Sequence, residues 1–224
     1  MVQRGLRILT AISLAAFLSG SSVPAAEPTN LSLCKHELAA YVQRGEYARQ
    51  IADVALVANN YLLKRTAEGA KPGEKLAIVF DIDETMLSSL SEIEANDYGY
   101  VPKVWDHWVE EGQAPAILPV QAIYNTALRK NIAIFIITGR KESDQPGTER
   151  NLRQVGYEKW TRIIYHTAKT DPSLNNAGFK TEVRRKITEE GYTIIANIGD
   201  QASDLANGYA ERGFKLPNPF YLAK

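Results

Sequence analysis

The sequence predicts an α/β fold: a doubly wound, Rossmann-like parallel sheet carrying a small helical cap. Three observations predict it. Short apolar runs recur that are too brief for helices, helical patterns lie between them, and glycine or proline breaks the junctions. Such runs suit strands buried on both faces of a parallel sheet. Composition agrees, because a chain of 224 residues that is 45% hydrophobic and 23% charged is neither disordered, collagen-like nor coiled-coil. That length suits one domain with a modest insertion. The 26 basic and 26 acidic side chains cancel, so nothing in the charge calls for a nucleic-acid polymer as partner.

The first 26 residues read as a segment outside the fold. Arg4 and Arg7 precede an apolar run from Ile8 to Leu18, and small residues follow up to Ala25 and Ala26. A positive start, a short apolar stretch and a small-residue cut site describe a secretory signal peptide. The run is shorter than the roughly 20 apolar residues that span a bilayer, so no stable membrane anchor is expected. Cleavage removes two bases and no acid, leaving 24 bases against 26 acids, a net charge of −2. Cys34 has no partner for a disulfide. It follows Leu33 rather than the small residue a lipidation signal needs, and is expected as a buried small apolar residue.

Residues 27–75 form an N-terminal helical segment. Leu38, Tyr41, Val42, Ile51, Val54, Ala55, Ala58, Tyr61 and Leu62 recur at helical spacing, in one long helix or two abutting ones divided at Gly45. Gly69, Pro72 and Gly73 stop it. Residues 76–224 hold the sheet. Its strands are Leu76–Phe80, Ile132–Ile137, Thr193–Ile198 and, more weakly, Ile163–Tyr165. Helices are expected from Pro119 to a left-handed stop at Asn131, from Thr148 to Val155 before Gly156, and from Thr181 to Glu190 before Gly191. Residues 88–118 break the alternation and read as an irregular or helical insertion over the sheet, forming the cap with the N-terminal helices.

In open α/β sheets ligands bind beyond the carboxyl ends of the strands. Here the first strand ends Asp81-Ile82-Asp83-Glu84-Thr85, the second Thr138-Gly139-Arg140, and the third Gly199-Asp200, with Asp204 four residues on. On an extended backbone Asp81 and Asp83 face the same side, roughly 7 Å apart. Up to four carboxylates in one mouth call for positive charge among them. Oxygen donors without histidine or thiolate favour Mg²⁺, and Lys180, at the start of the third helix, adds a fixed cation.

These residues resemble the four motifs of the haloacid dehalogenase (HAD) superfamily: DIDET at 81–85, ITGR at 137–140, Lys180, and GDQASD at 199–204. The strings FDIDETMLSS, WVEEGQAPAILP, GFKTEVRRKI, GYTIIANIGDQASDL and FKLPNPFY resemble its acid phosphatase subfamily, which contains bacterial class C acid phosphatases and plant vegetative storage proteins. The resemblance implies an enzyme that hydrolyses small-molecule phosphate monoesters, and the signal peptide makes it secreted or periplasmic. Asp81 would be the nucleophile that takes the phosphoryl group. Asp83 would be the acid that protonates the leaving oxygen and then the base that activates water. Thr138 and Lys180, with amides near Ile82, Asp83 and Gly139, would hold phosphoryl oxygens. Mg²⁺ would lie on Asp81, the Asp83 carbonyl and Asp200, with Asp204 supporting the metal shell or positioning Lys180. An acidic optimum follows if Asp83 must start protonated and crowding raises its pKa.

Three departures stand out: Asp81 is present where storage members often lose it, Ala202 stands where relatives often carry Trp, and no lipidation signal occurs. Other readings of the same site are phosphotransfer to an alcohol and a non-catalytic storage or binding protein. Outside the motifs, Tyr98, Tyr100, Trp105 and Trp108 are either core beneath the insertion or a stacking surface for a substrate ring. Glu84 follows the catalytic pair but reads equally well as an exposed or helix-capping acid, His107 is a surface or satisfied histidine ahead of one that touches a leaving group, and Arg140 is a phosphate clamp or a salt-bridge partner. Arg184-Arg185-Lys186 reads as a solvated helix face.

Overall fold

The structure is a computed structural model and describes residues 27–167 and 170–223; the signal peptide expected over residues 1–26 lies outside the described residues. Five strands, β1 (Lys75–Phe80), β2 (Ala133–Lys141), β3 (Arg162–His166), β4 (Tyr192–Gly199) and β5 (Arg212–Lys215), form one sheet in the order β3-β2-β1-β4-β5. Every pairing is parallel. β5 has no apolar run to announce it. Only Phe214 of its four residues is buried, because an edge strand has little to cover.

Alternation along β1 sends Ile78 and Phe80 to one face and Ala77 and Val79 to the other, and each face has its own core. The first is closed by α2 (Glu46–Ala67) and α5 (Leu118–Arg129), through Ile51, Ala55, Leu62, Ile123 and Tyr124. The second is closed by α7 (Asn176–Glu189), through Phe179 and Ile187. The N-terminal helical pattern is divided as expected: α1 (Leu31–Gln43) and α2 meet at Gly45, whose φ of 72° suits a residue without Cβ. Cys34 is only half-buried, because α1 rests on the molecule by a single face. Asn131 (φ 53°) turns the chain after α5 in the left-handed conformation expected of it.

Within residues 88–118 lie α3 (Leu90–Ala95) and α4 (Pro102–Glu111). Gly147, near the start of α6 (Gln145–Gln154), packs so closely on α4 that a Cβ there would lie 2.3 Å from the Val109 carbonyl oxygen. Several boundaries move. β2 runs on through Thr138–Lys141, α6 begins before Thr148, and α7 begins at Asn176, so Lys180 stands in its second turn rather than at its start. No described helix is long and apolar enough to cross a membrane.

Candidate active site

The order of the strands creates the site. The chain fills one side of β1 with β2 and β3, then crosses to β4 on the other, so the sheet has its switch point between β1 and β4, where ligand crevices form. The Asp81 amide donates to the Ile198 carbonyl (3.0 Å), fastening the two strand ends together. Asp81 follows β1 and Asp200 follows β4. Both are buried, as is Asp204 of the short helix α8 (Ala202–Leu205), and one oxygen from each of the three lies within 4.8 Å of the others.

Lys180 reaches this cluster from α7. Its ammonium donates to Asp81 Oδ1 and, at 2.6 Å, to Asp204 Oδ1. Asp204 Oδ2 accepts the Gln201 amide (2.8 Å), so Asp204 holds the turn and the lysine together. Gly199 makes room for it: a Cβ there would sit 2.4 Å from the Asp204 side chain. Burial pushes the Asp81 carboxyl well up; Lys180 pulls against that, while Asp204 and Asp200 add to it. Burial also raises Asp200, helped by Asp204. Burial works against the Lys180 ammonium, yet Asp81 and Asp204 outweigh it and raise its pKa. Three buried carboxylates thus share one lysine. Asp200 has only neutral hydrogen-bond partners among the described residues: Thr85 (3.2 Å), Gln201 (2.7 Å) and Asn218 (2.7 Å). A dense, all-oxygen cluster short of positive charge fits a hard divalent cation.

Asp83 takes a different partner. Its carboxylate receives Arg140 Nη2 at 2.6 Å and Nε at 3.1 and 3.2 Å. Arg140 is buried, donates to Thr148 Oγ1 (2.9 Å) and lies over Trp105. Of the two sequence readings, the salt bridge is the one observed. Thr138 is fully buried, its hydroxyl accepting the Arg140 amide (3.1 Å), while Gly139 is exposed at the cavity beside it. Ile82 is buried; its carbonyl accepts the amides of Thr85, Met86 and Leu87 and forms the tight turn after β1.

Glu84 corrects an expectation. It is fully buried, not exposed, in a left-handed conformation (φ 52°). It accepts the Tyr47 hydroxyl from α2 and the Ser89 amide (2.5 Å) just before α3. Burial pushes its carboxyl up to about 7, against the pull of those donors. Arg184 is a second correction: it is fully buried rather than solvated, donating to the carbonyls of Asp204 (2.6 Å), Gly208 (3.0 Å) and Ala206. Arg185 and Lys186 pair with Glu182 on the surface, as expected of that face.

The cavity has a volume of about 560 Å³ and opens from the carboxylates to Tyr98, Tyr100, Trp105, Phe220 and Tyr221. The aromatic group splits: Tyr100 and Trp105 stand at the cavity, Tyr98 lines it while stacking on Phe220, and Trp108 packs against the core. His107 is exposed beside Glu111 (3.4 Å), and Ala202 is exposed too. Gln201 lies inside the fourth motif without an expected role, and nothing in the sequence places Asn218 and Phe220 at the site. FKLPNPFY stood out only as a resemblance, and no charge or spacing in it pointed to chemistry.

The model of the family described as HAD superfamily, subfamily IIIB (acid phosphatase), matches residues 9–224. The chain belongs to that family. Among curated relatives of this subfamily IIIB chain, the stem 28 kDa glycoprotein of Glycine max is 39% identical over 153 residues, which are 66% of the chain and 60% of the relative. Acid phosphatase 1 of Solanum lycopersicum is 37% identical over 147 residues (64% and 57%), and vegetative storage protein 1 of Arabidopsis thaliana is 35% identical over 147 (64% and 54%). The chain thus spans little more than half the length of these relatives. The class C acid phosphatase of Bacillus anthracis has a similar fold, with a TM-score of 0.68 at 24% identity, covering 84% of this chain and 86% of that one.

Proposed function

We propose that this subfamily IIIB member is a secreted or periplasmic, Mg²⁺-dependent acid phosphatase that hydrolyses small organic phosphomonoesters through a phosphoryl-Asp81 intermediate. The observation that supports this most strongly is the convergence of Asp81, Asp200, Asp204 and Lys180 at the β1/β4 switch, at the floor of a cavity with Asp83 on its wall. A carboxylate oxygen of Asp81 attacks phosphorus and the ester P–O bond breaks. The leaving oxygen takes its proton from Asp83. Asp83 then removes a proton from water, whose oxygen attacks phosphorus and frees both phosphate and Asp81. Splitting hydrolysis in this way is the use of a carboxylate nucleophile. Arg140 holds Asp83 in place between the two proton transfers. Lys180, Thr138 and the amides of Ile82 and Gly139 receive the phosphoryl oxygens, and Asp204 keeps Lys180 directed at Asp81.

Asp81, Asp200 and the Asp83 carbonyl would hold Mg²⁺, which supplies charge to offset the repulsion between an anionic nucleophile and an anionic phosphoryl group. The insertion 88–118 serves as the cap, and its Tyr98, Tyr100 and Trp105 receive the organic part of the ester, whereas α2, expected to share in the cap, closes the core on a face of the sheet instead. Kinship with vegetative storage proteins favours a second reading, a non-catalytic storage protein. A colorimetric assay with an aryl phosphate separates the two: Mg²⁺-dependent turnover that declines toward alkaline pH and vanishes in D81N supports the enzyme. Inactivity of the well-folded wild-type protein supports storage.

A further inference from the structure

The C-terminal segment reaches the cluster that the phosphatase reading uses without supplying any carboxylate to it. Asn218 Nδ2 donates to Asp200 Oδ2 at 2.7 Å, and Gln201 Nε2 donates to the same oxygen at 2.7 Å. The orientation of the Asn218 amide is fixed from behind. Its Oδ1 accepts the Phe220 amide at 2.9 Å and the Tyr221 amide at 3.4 Å, so its NH₂ group must face Asp200. Gln201 is held likewise, with Oε1 accepting the Ala223 amide at 3.2 Å. Two amide donors occupy Asp200 Oδ2, while among the described residues Oδ1 meets only the Thr85 hydroxyl, at 3.2 Å. Phe220 pins the segment further, edge-on to Tyr47 of α2 and stacked on Tyr98 of the insertion.

We propose that Asn218 is a positioning residue for the metal: with Gln201 it locks the Asp200 carboxylate that would hold the cation, making cation affinity depend on the docked C-terminal segment. The inference rests on the proposed metal-dependent function. A hydrogen-bonded carboxylate ligand loses orientation when its outer partner is removed, and such losses cost about 10–100-fold in metal affinity. The segment has a second role of geometry, since Phe220, Tyr221 and Leu222 also wall the cavity. One stretch of chain therefore both braces Asp200 and supplies part of the cavity wall.

The test titrates Mg²⁺ into chelator-treated full-length protein by calorimetry, comparing wild type, N218A and Q201M, with D200N as the variant that loses the ligand itself. N218A is expected to bind Mg²⁺ about 10–100-fold more weakly than wild type with an unchanged circular dichroism spectrum, and to regain most of its turnover at high Mg²⁺. Wild-type affinity in folded N218A overturns the inference. Should N218A misfold, Q201M removes the other donor and decides on the same terms. Wild-type protein that binds Mg²⁺ but releases no phosphate defeats the phosphatase reading and leaves this inference standing.

Discussion

Replacing Arg140 by Met removes the cation that holds Asp83 while keeping most of the apolar stem. The structure sets the size of the effect. Three N–O contacts of 2.6 to 3.2 Å are lost, from an arginine side chain that is 2% exposed to a carboxylate that is 19% exposed. Breaking a buried ion pair from one side costs about 3–5 kcal/mol, and the partial access of water to Asp83 places R140M near the lower figure, about 3 kcal/mol. For a chain of this size that lowers Tm by roughly 6–12 °C. Neutralising the partner as well, in R140M/D83N, should restore part of the loss, giving a coupling energy of about 2 kcal/mol. The assay is urea unfolding of all four proteins in chelator, followed by kinetics on an aryl phosphate with Mg²⁺. Because a misplaced proton donor costs roughly 10²-fold, kcat of R140M should fall by that factor. Coupling within about 0.5 kcal/mol of zero, with kcat preserved, would refute Arg140 as the anchor of Asp83.

Further outcomes follow from other parts of the structure. Chelation should silence turnover, and Mg²⁺ at about 100 times its Kd should stabilise the stripped protein by about 2.7 kcal/mol in thermal denaturation; no shift would argue against cation binding by the folded state. G199A places a methyl group 2.4 Å from the Asp204 side chain, so it should cost roughly 1–3 kcal/mol in urea unfolding and reduce phosphatase activity by displacing Asp204 from Lys180. R184M removes a buried donor from the carbonyls of Asp204, Ala206 and Gly208, of which the first two keep Asn197 and Thr181, and should cost about 1–3 kcal/mol, whereas K186M on the outer face should stay within about 0.5 kcal/mol.

The sheet was legible because its central strands are buried on both faces, and continuous apolar runs such as Ile132–Ile137 have no other easy explanation. The acids at the strand ends were legible because a parallel sheet sets the carboxyl ends of its strands on one edge, and the order of strands then makes β1 and β4 neighbours. What escaped were features without a pattern along the chain. β5 is an edge strand with one buried side chain. Arg184 lies in a basic run that looks solvated until the turn after α8 folds back and presents three carbonyls to it. Glu84 reads as an exposed or helix-capping acid, and its burial is hidden because its partner, Tyr47, lies 37 residues away in another helix. Asn218 was hidden for the same reason: its hydrogen bonds to Phe220 and Tyr221 look like an ordinary turn, and only three-dimensional contact with Asp200 gives it consequence.

Asp81 is the residue proposed to carry the phosphoryl group, and chemical trapping reads that directly. Turnover of an aryl phosphate is quenched in acid, the protein is reduced with borohydride, and its peptides are analysed by mass spectrometry. Homoserine in place of Asp81, formed only with substrate and Mg²⁺ present, is the predicted result. Active enzyme that leaves Asp81 unreduced, or that yields the modification at another residue, would contradict it.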